Sequence, residues 1–202
     1  MIMYISHSHN FNDKSNNRYY TVCGLVVDSN DEINTVFKKA GEMIKKSKII
    51  NADSVSFTLD PNALENNKYT IPIKNYILSS MPSKCQIISC SKKISDSITE
   101  EQMIQKWFPK MVMHIISKKN FIEQCTAIKV LKILEGKSLI EKVKKKYNVE
   151  LEFIEKNTND GLKISDNFCS VIRKTHCNNE NVKGFYGLIT SNYKNVINEI
   201  LS

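Results

Sequence analysis

The chain has 202 residues, 41% of them apolar and 25% charged, enough for one well-buried core and short for two domains. Its net charge of +8 and pI of about 9.1 favour an anionic partner, because clustered Lys and Arg gain affinity by releasing counterions at phosphates. No apolar run reaches the length of a membrane span, and the six cysteines and six glycines form no CxxC pair, P-loop or Gly-rich dinucleotide turn; this excludes a membrane-spanning helix and those phosphate cradles, and points to reduced thiols in an intracellular, cytoplasmic protein.

Met1-Ile2-Met3 leads into a strand pattern rather than a targeting segment. Residues 2–5 and 19–27 are β-branched and aromatic runs joined by a polar stretch from Asn10 to Asn17, which predicts a hairpin with a long loop. Ser29 and Glu32 are spaced as a capping box, and Ile33, Val36, Phe37, Ala40 and Ile44 recur at helical spacing, predicting a helix over about 30–48. Val55, Phe57 and Leu59 alternate with polar residues as in a half-buried strand, and Pro72 suits the first turn of a helix running to about Ser80.

Residues 85–90 read as a strand. Thr99 and Gln102 then cap a long helix with Met103, Trp107, Met111 and Ile115 in one stripe, and Pro109 is expected to bend or divide it. A strand follows from Ile128 to Leu134, a short helix capped by Ser138 and Glu141 runs through Tyr147, and Val149, Leu151 and Phe153 alternate as in a strand. The last predicted elements are two helices, about 161–176 and 191–201. Strands separated by helices imply an α/β fold with a mixed sheet covered on its faces, read here as one domain over residues 1–202.

Two stretches answer to each other across the chain: Tyr4-Ile5-Ser6-His7-Ser8-His9-Asn10-Phe11 near the start, and Gly161-Leu162-Lys163-Ile164-Ser165-Asp166 late on. The pair resembles domain-of-unknown-function family 3800, RNase H-like proteins that open with a strand ending Asp-Glu-Ser-Gly and close with a Gly-Leu-Gln-x-Ala-Asp helix. The resemblance implies an RNase H-like mixed sheet flanked by helices, with acids from the first strand, a central strand and a late helix converging on divalent metals beside a scissile phosphate. Asp166 matches the late acid. Ser6 and His7 stand in place of the opening acids and His9 in place of the Gly, while Lys163 and Ser165 replace Gln and Ala. Glu135 lies near the position of the middle acid, with Asp60 and Asp53 as alternatives.

The missing first carboxylate has a physical consequence. Two divalent cations about 4 Å apart repel by about 17 kcal/mol at an effective dielectric of about 20, and bridging carboxylates and substrate phosphate must offset this. Ser6 carries no such charge, and Mg²⁺ favours hard oxygen ligands over the imidazoles of His7 and His9. Imidazoles suit Mn²⁺ or Zn²⁺ better. On an extended strand His7 and His9 project to the same face, which permits a chelating pair; the alternative is two polar side chains in a hairpin loop.

Other chemistries find less in the residues. His7-Ser8-His9 has no second copy around His114 or His176, as a two-histidine phosphodiesterase would need, and His176-Cys177 beside Cys169 lacks a second ligand pair. No local signature selects a catalytic Cys-His pair. The lysine runs, Lys45-Lys46, Lys92-Lys93, Lys118-Lys119, Lys144-Lys145-Lys146 and Arg173-Lys174, form either a nucleic-acid face or a solvated surface, and aromatic residues are not interleaved with them, so no base-stacking platform is visible. Two readings stay open. One is a nucleic-acid- or protein-binding pseudoenzyme that has lost metal-dependent cleavage; the other is a divergent nuclease or phosphodiesterase using His7, His9, Asp166 and Glu135 with Mn²⁺ or Zn²⁺.

Overall fold

The computed structural model describes residues 1–11, 17–46, 76–82, 84–118, 123, 125–133, 137–155, 158–177, 187, 189–193 and 195–201. Its centre is a six-stranded mixed sheet in the order β5-β4-β1-β2-β3-β6. β1 (Ile2–His9) and β2 (Tyr19–Val27) form the expected hairpin, and β3 (Gln86–Lys93) continues it antiparallel. β4 (Ala127–Leu131) lies parallel to β1, β5 (Glu150–Ile154) parallel to β4, and β6 (Asn195–Leu201) parallel to β3. No helix among the described residues is long and apolar enough to cross a membrane.

Helices cover both faces. On one face α1 (Asn30–Lys46) and α5 (Asp160–His176) bury Ile33, Val36, Leu162 and Phe168 against Tyr4, Leu25 and Ile87. On the other, α3 (Phe108–Ile116) and α4 (Lys137–Tyr147) bury Phe108, Met111, Ile115 and Val143 against Met3, Ile5, Val22 and Ile128. Side chains along a strand alternate between faces, so β1, internal in the sheet, must be apolar on both. Met3, Tyr4 and Ile5 are accordingly at most 1% exposed.

Local chemistry explains several boundaries. Thr99 caps α2 (Glu100–Gln102) through the expected reciprocal box: its hydroxyl accepts from the Gln102 N–H, and the Gln102 side chain accepts from the Thr99 N–H. A π-helical turn (Met103–Trp107) then separates α2 from α3, with the Phe108 N–H bonded to the Met103 carbonyl five residues back. Pro109 sits in the first turn of α3, where its missing N–H does no harm, so the long helix is divided as expected. α4 stops where Asn148 takes a left-handed conformation at φ 54° and returns its N–H to Lys144.

Three expectations are corrected. Residues 195–201 form a strand, not a helix: Val196, Ile197, Ile200 and Leu201 suit a helical stripe, but they are largely β-branched and the parallel edge of β3 supplies backbone partners that no local signal reveals. α4 begins at Lys137, which puts Ser138 inside the first turn instead of before it. Glu32 reaches back to the Asp28 N–H, one residue earlier than a capping box on Ser29 requires. Residues 76–80 are helical, as the run after Pro72 suggests, while its start and the strand expected around Val55 to Leu59 lie outside the described residues.

α5 approaches the sheet unusually closely. A Cβ added to Gly161 would fall 2.5 Å from the Tyr4 ring, and Tyr4 is held from its far end by Asn30 at the start of α1. Gly161→Ala should therefore destabilise the fold by about 1–3 kcal/mol through overpacking, whereas Gly187→Ala, whose added methyl meets nothing within 4 Å among the described residues, should change stability by less than about 0.5 kcal/mol; urea midpoints of the two variants check this.

Candidate functional site at the end of the first strand

The end of β1 carries Ser6-His7-Ser8-His9, and the strand's two-residue period sends these side chains to opposite faces. Ser6 and Ser8 face α5. Ser6 is fully buried and its hydroxyl donates to Ser165 Oγ at 3.0 Å. Ser165 Oγ in turn lies 3.0 Å from the carbonyls of both Tyr4 on β1 and Cys23 on β2. One turn further along α5, Cys169 Sγ bonds to the Thr21 carbonyl at 3.1 Å, and Arg173 Nε donates to Ser8 Oγ at 3.0 Å. Gly161, Ser165, Cys169 and Arg173 thus recur every four residues along the helix face turned to β1 and β2.

Asn159 caps α5 by accepting from the Leu162 N–H at 3.0 Å, with Asp160 in the first turn and Arg173, Lys174 and His176 in the last, as the helix dipole favours. Asp166 follows Ser165 and is 6% exposed. Its charge reaches His9, and it helps to raise the thiols of Cys23 and Cys169, whose main shift comes from burial. Lys163, also buried, pairs with Asp160 at 2.8 Å.

His7 and His9 lie on the other face, in an aromatic cluster. Their rings are 5.7 Å apart and close to parallel. His7 packs 5.4 Å from Tyr20 and 5.8 Å from Phe108, while His9 lies 5.1 Å from Phe11 and 3.2 Å from the Glu100 carboxylate. Burial lowers the His9 pKa, Glu100 and Asp166 opposing this and Arg173 adding to it.

The structure therefore brings His7 to His9, and Ser6 to the helix that carries Asp166, but on opposite sides of the sheet. Glu135, Asp53 and Asp60 lie outside the described residues. Among the described residues no three His, Cys, Asp or Glu side chains are grouped to hold a metal ion. Of the described donors on the α5 face of β1, Ser6, Ser8 and Ser165 are neutral hydroxyls bonded to one another, to carbonyls or to Arg173, and bring no negative charge to a divalent cation. Sequence reasoning missed Arg173 and Glu100 as members of this region. The four-residue spacing from Gly161 to Arg173 was the available signal for the first; nothing local marks Glu100.

Sheet order, a hairpin opening the sheet and the late helix crossing its first two strands decide the architecture. The fold is RNase H-like. A chain of the PCNA:RNase HII complex from Archaeoglobus fulgidus superposes with a TM-score of 0.54 at 11% identity, covering 93% of this chain and 77% of that one. The ribonuclease H2 from Pyrococcus horikoshii OT3 gives a TM-score of 0.44 at 10% identity, covering 95% and 80%. No protein-family model matches the sequence, and no curated protein matches it.

Two outcomes are expected. Ser165→Ala removes the acceptor of a buried hydroxyl and should cost about 1–3 kcal/mol in chemical denaturation. The His9 and His176 pKa values are both lowered from 6.5 by burial, so the folded chain binds fewer protons than the unfolded one. That contribution is complete above about pH 6.5 and is lost as pH falls through the lower folded values. Thermal midpoints should fall from pH 7 to 5, and the His9→Gln/His176→Gln double variant should fall less.

Proposed function

We propose that this protein binds nucleic acid through an RNase H-like fold whose metal-dependent cleavage has been lost. The observation that carries the reading is the buried Ser6–Ser165 hydrogen bond of 3.0 Å, at the position where the resemblance calls for the opening carboxylate. A hydroxyl bonded inside the protein brings no negative charge to offset two metal ions. The guanidinium held on Ser8 by Arg173 adds positive charge to the same end of the strand. The net charge of +8 favours a polyanionic partner, with a protein partner as the other class of binding this reading covers. The competing nuclease reading needs the two imidazoles and Asp166 on one metal. The opposite facing of Ser6 and His7 along β1 argues against it.

The test compares wild type, Asp166→Ala and His7→Ala/His9→Ala on single- and double-stranded DNA and RNA with Mg²⁺, Mn²⁺ or Zn²⁺. No cleavage above background is expected from any of the three. Binding should weaken steeply as salt rises, log K falling linearly with log salt as phosphate contacts release counterions. Cleavage by wild type that Asp166→Ala abolishes would overturn the loss of activity, and further dependence on the histidines would establish the metal enzyme instead. Ser6→Asp/His7→Glu should not restore turnover, because the two new carboxylates would point to opposite faces of β1 and the residues around Asp166 have changed as well.

A further inference from the structure

The face of the sheet opposite α5 carries a cluster that the chain's linear order conceals. Trp107, the single tryptophan, is half-buried at the end of the π-helical turn. Lys92, arriving from the end of β3, places its ammonium 4.2 Å from the centre of the indole ring, and Lys110, three residues on, places its own at 5.0 Å. Lys93 and Lys106, the sequence neighbours of these groups, are exposed. The nearest acids on α2 are engaged elsewhere, Glu100 with His9 and Glu101 with Gln105. Lys92 is held in place by its register with Tyr20, which itself pairs with His9, so the position of the upper lysine is set by the sheet.

We propose that Trp107 with Lys92 and Lys110 is a stacking platform for a base of single-stranded nucleic acid. Exposed cation–π contacts are weak, and both lysines sit on flexible stems, so a base can take over a face of the indole while the displaced ammonium moves onto the adjacent phosphate. A single strand offers both groups together: an unpaired base has a free face, and its flanking phosphates lie within reach of a lysine. A duplex keeps its bases stacked and offers the platform only phosphates. This proposal rests on the nucleic-acid-binding reading above but uses the other face of the sheet, so it stands apart from Ser6 and Asp166. π-turns recur at functional sites, and this one ends on Trp107, which packs one part of its ring against the core and is left partly exposed beside Lys92 of β3.

The single tryptophan makes the test direct. Wild-type fluorescence is titrated with a 20-nucleotide oligo-dT, an oligo-U of the same length and a 20-base-pair duplex at low salt; Trp107→Ala, Trp107→Phe and Lys92→Gln/Lys110→Gln are measured by anisotropy of the labelled strands, with circular dichroism to check folding. Saturable quenching by the single strands is expected, with about ten- to hundredfold weaker binding for Trp107→Ala and near wild-type binding for Trp107→Phe. The double lysine variant should lower the salt slope by about 1.4, the value for two phosphate contacts on a single strand. Should Trp107→Ala lose its fold, quenching in wild type and the lysine variant decide the matter. Single-strand binding with unquenched Trp107, unchanged in the variants, would overturn the platform and leave the nucleic-acid reading intact. Tighter binding to duplex with unquenched Trp107 would do the same, and binding to none of the three would overturn both.

Discussion

The close seating of α5 on β1 and β2 is the contact on which the rest of this molecule depends. With Gly161 against the Tyr4 ring, the helix backbone comes within van der Waals reach of the sheet, and the next residues on that face must be small. Ser165 and Cys169 meet that condition, and each directs a polar atom at a strand carbonyl. These carbonyls already belong to the sheet ladders, and the hydroxyl and thiol use their remaining acceptor capacity, so that the polar atoms of Ser165 and Cys169 are not buried without partners. The hydroxyls of Ser6 and Ser165 and the Cys169 thiol therefore satisfy this interface as they fill it. The same seating carries Arg173 to Ser8 at the helix's far end.

This arrangement also bears on chemistry. A residue at position 6 points into a layer with no room for solvent, and its partner there is another neutral hydroxyl. An ionised carboxylate at such a place needs cations or several donors to offset desolvation. Residue 6 has neither the charge that would recruit metal nor the surroundings that would tolerate it uncompensated. Asp166, about 100° round the helix from Ser165, is 6% exposed, and it and Arg173 act on His9 in opposite directions.

The two faces of β1 act as separate environments because a strand reverses its side chains at every residue. Ser6 and Ser8 belong to the α5 layer. His7 and His9 belong to an aromatic group with Tyr20, Phe11 and Phe108, continuous through the β2–β3 register with Lys92 and Trp107. Four consecutive residues that read as one motif thus serve two layers, and the basic and aromatic surface lies with the histidines, across the sheet from Asp166.

What the sequence by itself determined is whatever rests on short-range periodicity. The β1–β2 hairpin, the Thr99 cap, the interruption at Pro109 and the α5 helix up to His176 all follow from patterns within a turn or a strand length. The RNase H-like reading rested on two short stretches, and the fold places them against each other, with Ser6 on Ser165 and Tyr4 on Gly161. Tertiary structure decided the rest. Residues 195–201 became a strand because the edge of β3 offered backbone partners to a stretch whose own pattern suits either state. The facing of His7 and His9 away from Ser6 and Ser8, the reach of Arg173 to Ser8 and the meeting of Lys92 with Trp107 depend on which elements share a face. Sheet order and helix seating set this, and they are long-range contacts that no local window of residues encodes.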